Sequence, residues 1–189
     1  PERADRRGTY DTTIHEMVEA RAVRMGQFGF SNQPAHHLPF LFHHVGAPEE
    51  ASRIVREVHR RLFVGEQIGQ GYPGDEDNGE MSAWWLLTAL GLYPLQLATG
   101  RYHLVAPLFE TVHVKPLGRE GFTVTARAEG GAPPGTEDLC ITGMRVRGEA
   151  HEDSWIDHTQ LHGEIEVELA AAPSGWGGIP PSPTAPGER

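Results

Sequence analysis

Cysteine, lysine and long apolar runs are nearly missing from this chain, and each shortage closes off a class of protein. The one cysteine in 189 residues, Cys140, excludes an internal disulfide and any thiolate cluster around a metal. Cations are outnumbered: 16 Lys+Arg stand against 26 Asp+Glu, a formal net charge of −10. That balance argues against a nucleic-acid partner, because such affinity comes largely from cations neutralising phosphates. No apolar run approaches the roughly 18 to 20 residues that span a bilayer, so no membrane partner is expected. Signal-peptide features are missing too: the chain opens on Pro1, Glu2, Arg3, Ala4, Asp5, Arg6 and Arg7, a charged stretch read as the interior of a longer protein. Lys115 is the only lysine beside fifteen arginines, which with abundant Ala, Gly and Pro reads as GC-biased bacterial coding.

What is present divides by period. Ile14, Met17, Val18, Arg21, Ala22 and Met25 follow the i, i+3, i+4 rule of a helix. A second helix opens after Gly46-Ala47-Pro48, with Glu49 and Glu50 in its first turn and Ile54, Val55, Val58, Leu62 and Phe63 along one stripe. Between them, Ala35 to Val45 is apolar and histidine-rich, with Pro39 predicting a late start or a kink. Met81 to Leu92 is apolar on every side, as in a helix surrounded by neighbours, and Gly91 and Pro94 end it. From there on the pattern is that of strands: Arg101 to Val105, Thr111 to Lys115, Gly121 to Arg127, Leu139 to Met144 and Glu164 to Leu169 are short, β-branched or alternating. In the last of these Ile165, Val167 and Leu169 alternate with Glu164, Glu166 and Glu168, which predicts one wet face. The expectation is an α+β chain: a helical part over 1–95, a small C-terminal β region over 96–172, and a flexible Pro/Gly-rich tail over 173–189. An all-round apolar helix needs packing partners, which are expected upstream of Pro1.

The densest acidic loop is Gly71-Tyr72-Pro73-Gly74-Asp75-Glu76-Asp77-Asn78-Gly79-Glu80, directly before the apolar helix. Asp75 and Asp77 are two residues apart and can converge on one water or one cation. Carboxylates before a helix N-terminus are also ordinary caps. The loop is not an EF-hand, for it lacks that motif's ligand spacing. A second candidate joins Ser31-Asn32-Gln33-Pro34-Ala35-His36-His37 to His43 and His44, histidines spaced as zinc ligands can be, yet no HExxH pattern accompanies them. Trp84 and Trp85 are either a sugar-stacking platform or core. No GxSxG elbow surrounds any serine.

The joint order of these motifs is specific. Asn-Gln-Pro-Ala-His-His-Leu-Pro-Phe-Leu-Phe at 32 to 42 resembles the GNEPSHHIPYLY segment of the calcium-dependent exo-α-mannosidases, glycoside hydrolase family 92. Gly74 to Trp85 resembles that family's GN(D/E)DxGQMSAWY, Ala89 to Pro94 its SALGFYPV, and Tyr102 to Phe109 its Y-x-I-G-S-P-L-F. Ser154-Trp155-Ile156-Asp157-His158, Gly163 and Trp176-Gly177 resemble its C-terminal end.

The resemblance implies the last helices of an (α/α)6 barrel followed by the C-terminal β region, with an upstream β-sandwich and the remaining barrel helices as partners in the same protein. It implies an inverting hydrolase of terminal α-mannosyl linkages. Asp77 would be the base with Asp75 beside it, Asn32, Gln33, His36 and His37 would line the substrate site, and the acid would lie upstream of Pro1. Calcium, with Asp77 among its ligands, would hold the sugar's O2 and O3. Such enzymes are secreted or periplasmic. Two positions depart from the family pattern. Gln33 replaces a carboxylate with a neutral amide, which suits a mannosyl-phosphate glycan such as mannose-1-phospho-6-mannose over an ordinary α-1,2- or α-1,3-linked mannoside. Glu80 stands where the family has glutamine. A carbohydrate-binding module without turnover and a zinc hydrolase built on the four histidines are the competing readings.

Overall fold

The computed structural model describes residues 25, 28–63, 65, 71, 72, 74–136 and 138–181. The helix expected over Ile14 to Met25 lies outside them except for Met25.

Proline shapes the first ordered stretch. Two 3-10 helices, Gln33–Ala35 and Leu38–Val45, each carry Pro34 or Pro39 in their first turn, and Gly46 ends the second in the left-handed conformation at φ 73°. A late or kinked helix is expected here; the chain resolves it into two tight turns of helix. The stripe after Pro48 forms helix α1 (Pro48–Leu62), with Glu49 and Glu50 at its positive end and His59, Arg60 and Arg61 at its negative end. Val55, Val58 and Leu62 are buried, each contributing roughly 1.5–3 kcal/mol of transfer free energy.

Helix α2 (Glu80–Ala89) stops earlier than its apolar run. The chain turns at Gly91, whose φ of 90° suits glycine and where a Cβ would meet Val105 O at 2.7 Å. Leu92–Tyr93 then forms strand β1, so the sheet begins inside the stretch expected to be helical. Only one side of α2 is covered among the described residues. Met81, Trp84, Thr88 and Ala89 are buried, whereas Leu86 is 56% exposed. Two α-helices do not make a barrel, and none is visible among the described residues; what stands here is a mixed α+β arrangement.

The five strands expected after residue 100 all form, as β2 (Arg101–Leu104), β3 (Thr111–Val114), β4 (Phe122–Ala128), β5 (Cys140–Val146) and β8 (Gly163–Ala170), joined by the short β6 (Glu149–Ala150) and β7 (Trp155–Asp157). They divide into a three-stranded sheet in the order β1-β2-β7 and a five-stranded sheet in the order β3-β4-β8-β5-β6. The alternating strand β8 lies in the middle of the larger sheet, parallel to β4 and antiparallel to β5. Ile165, Val167 and Leu169 are buried in one core with Val124, Ile141 and Ile156, and the glutamates take the other face.

A second core, around Phe30, Phe40, Val58, Met81 and Trp84, belongs to the helical part. Three side chains tie the two layers together at the end of β2 and in the residues just after it. His43 Nε2 lies 2.8 Å from Leu104 O, Ala106 N donates to Ser52 Oγ at 3.0 Å, and Arg56 donates to Pro107 O at 3.3 Å. The Pro/Gly-rich end, expected to be flexible from 173, is held down over Ser174 to Ile179. Trp176 packs on the sheet core and its Nε1 donates to His151 O at 2.9 Å, while Ser154 Oγ donates to Gly178 O at 2.7 Å. These contacts attach 174–179 to the sheet; residues 182–189 lie outside the described set.

Candidate active site

The acidic loop and the 31–36 segment meet face to face with a stagger of 44 residues. Gln33 Nε2 donates to Asp77 Oδ2, and His36 Nδ1 lies 3.1 Å from Glu80 Oε1. Backbone shape makes the approach. Gly74 sits at φ 75°, where a Cβ would stand 2.9 Å from both the Cβ and the carbonyl oxygen of Ser31. Asp77, Asn78 and Gly79 follow at φ 50°, 59° and 96°, three successive left-handed residues of the types that tolerate it.

That turn decides which carboxylate serves the helix. The residue before α2, Gly79, has no side-chain cap. Instead Glu76 reaches over, and Ser82 N donates to its Oε1 at 3.2 Å. Hydrogen bonds from Ser82 and from the Tyr72 hydroxyl hold the Glu76 carboxyl below its ordinary range, and the same contact pushes the Tyr72 phenol up. Asp75 and Asp77, both exposed, are left out of the capping role that their position suggests.

The substrate-site candidates separate. Asn32 is exposed and Gln33 half-buried on Asp77. His36 is 1% exposed, stacks on Phe30 at 4.4 Å, and sets its Nε2 2.9 Å from Phe30 O, so it supports the segment from behind. Both of its ring nitrogens face oxygen acceptors. Glu80, the second departure from the family pattern, is thereby the residue that meets His36 Nδ1. Sequence reasoning missed that partnership, which exists only once the two segments are brought together. His37 is half-buried beside them.

The same geometry takes residues away from the other readings, although Trp85 is only half-buried. Trp84 lies in the core among Phe30, Phe40 and Phe63, with Nε1 donating to His36 O at 3.2 Å, so it offers no stacking platform for a sugar. His43 is enclosed between the Phe40 and Leu104 carbonyls. Among the described residues no three His, Cys, Asp or Glu side chains converge as a metal site.

Comparison with known proteins places this arrangement. The profile of the Glycosyl hydrolase family 92 catalytic domain matches residues 5–171. A solved inverting mannosidase of family GH92 from Bacteroides thetaiotaomicron VPI-5482 is 30% identical, covers 93% of this chain and 23% of its own, and superposes with a TM-score of 0.69. An α-mannosidase of the same family and species is 20% identical over 86% of this chain and 22% of its own, with a TM-score of 0.73, a likeness in fold alone. A protein described as an uncharacterised secreted glycosidase from Arthroderma benhamiae is 27% identical over 158 residues, 80% of this chain and 20% of its own length. The chain thus spans 20% to 23% of the length of these relatives.

The family match makes this chain a portion of a glycoside hydrolase. The chain belongs to glycosyl hydrolase family 92, of whose catalytic domain it forms a part.

Proposed function

We propose that the protein containing this chain is an inverting exo-α-mannosidase with Asp77 as its general base. The observation that carries the reading is the division of labour in the acidic loop. Glu76 caps the helix, Glu80 meets His36, and Asp77 is exposed and aimed by Gln33. An inverting hydrolase needs one carboxylate to take a proton from water on one face of the sugar while an acid protonates the leaving oxygen, the two standing about 6.5–9.5 Å apart. Asp77 supplies the first group, and Asp75, exposed two residues away, helps to hold the water. The acid comes from outside the described residues.

Calcium needs six to eight oxygen ligands. The described residues bring together no three-carboxylate or histidine set, and Asp77 Oδ2 already accepts from Gln33, so this part of the chain fits as a fraction of a calcium shell and no more. We propose calcium as the cofactor with most of its ligands elsewhere; it would fix the hydroxyl oxygens of the sugar. A mannose-1-phospho-6-mannose substrate is the finer form of the proposal. One N–H of the Gln33 amide is committed to Asp77 and a second exists to donate to a phosphate. We propose a secreted or periplasmic location, a reading that the secreted relative supports. The exposed Leu38, Leu41, Val45 and Leu86 support packing against the remaining barrel helices.

The test is Asp77→Asn in the full-length enzyme. It should lower kcat by several orders of magnitude with the fold intact, and proton NMR of the wild-type reaction should show β-mannose as first product. The kcat/KM ratio for the phosphodiester against α-1,2-mannobiose assigns the substrate. Retained turnover in Asp77→Asn refutes the base.

A further inference from the structure

We infer that Gln33 is a positioning residue for Asp77. The inference rests on the reading of Asp77 as the base and names the part that aims it.

The left-handed backbone at Asp77 and Asn78 turns the aspartate out of the loop, where an exposed carboxylate has two free torsions and many orientations. Helix capping does not restrain it, since Glu76 performs that task. Of the contacts that lock the loop to the 31–36 segment, the Gly74–Ser31 approach and the His36–Glu80 pair hold backbone and helix start; the Gln33 amide is the one that grips the Asp77 carboxylate itself. Asp75, equally exposed, takes no such bond among the described residues. The grip is on Oδ2, which leaves Oδ1 for the water. An amide suits this task for a reason the charge makes plain: it donates to a carboxylate, whereas a glutamate at 33 would set a second acceptor against the first. Gln33 therefore acts on the rate of proton abstraction through the direction of Asp77, and a displacement of about 1 Å at such a group is worth up to roughly 100-fold in rate.

The experiment compares Gln33→Met, which keeps the length and removes the donor, Gln33→Glu, which keeps the shape and reverses the polarity, and Asp77→Asn, all in the full-length enzyme with an aryl α-mannoside. Both Gln33 variants should lose about 10- to 100-fold in kcat with KM within about twofold of wild type, the glutamate losing more. Melting temperatures monitor the fold; if Gln33→Met is destabilised, the isosteric Gln33→Glu carries the measurement. A raised KM with kcat retained overturns the inference and makes Gln33 a substrate contact. Wild-type kcat in both Gln33 variants beside an inactive Asp77→Asn also overturns it, while leaving the base in place. An active Asp77→Asn removes the base and the inference together.

Discussion

His43 sits between two carbonyls, with Nε2 2.8 Å from Leu104 O and Nδ1 3.1 Å from Phe40 O, and so fastens a 3-10 helix to the strand beneath it. The edge of its ring meets His103 at 5.0 Å. Burial pulls the His43 imidazole down to about 4 and those of His59 and His103 to about 3, the last two helped by the charge of Arg56 and by neighbouring histidines respectively. These rings fold neutral.

Acid should therefore loosen the junction well before the carboxylates are protonated. Each of the three groups has a folded pKa below its unfolded value near 6.5, so the unfolded chain binds the extra proton. Stability is full above about pH 7 and falls as the pH drops through 6.5 toward 4, by up to about 1.4 kcal/mol per pH unit per histidine. Urea denaturation at pH 7.5 and 5.0 measures the difference. His103, whose two ring nitrogens have no hydrogen-bond partner among the described residues, is the ring to remove: His103→Leu should flatten the pH dependence. Equal stability at both pH values would show that the histidines stay hydrated.

Glu76 and its two aspartate neighbours should part company in a stability measurement. Glu76→Ala removes the acceptor of Ser82 N and should lower the melting temperature. Asp75→Ala should leave it unchanged. If Asp75→Ala destabilises as much as Glu76→Ala, the capping assignment is wrong.

Gly74 is tested by one methyl group. With φ at 75° and Ser31 within 2.9 Å of an added Cβ, Gly74→Ala should cost about 1–2 kcal/mol of backbone strain and push the loop off the 31–36 segment. Full-length Gly74→Ala should lose kcat beyond what its stability explains. Wild-type activity would mean that the loop finds the same place without the close approach.

The 189-residue chain alone should turn over no mannoside. It spans 20% to 23% of the length of its relatives, and the acid is assigned outside it. Calorimetry or product analysis on the purified chain decides this; turnover abolished by Asp77→Asn would show that both carboxylates are present.

The strands from residue 101 onward and the stripe of α1 were legible in the sequence, because alternation and the 3.6-residue period are local properties of a chain that must bury one face. The acidic loop and the Asn32-to-His37 segment were likewise visible as chemistry. Their meeting was not. Which of Asp75, Glu76 and Asp77 caps α2 depends on three left-handed residues, and the direction of a side chain after such a turn is not written in its spacing. The end of α2 at Ala89 was hidden for a similar reason: the apolar run continues to Leu92, which joins a strand only because β2 offers it a ladder. Composition marked residues 173–189 as a Pro/Gly-rich tail, and the contact of Trp176 with the sheet core is not visible in that composition. The sequence by itself determined the local periods, the pattern of buried and wet faces, and which residues carry reactive groups. Tertiary structure alone decided that His36 supports from behind, that Glu80 is its partner, and that Gln33 grips Asp77, because each depends on two segments 44 residues apart closing to hydrogen-bond distance.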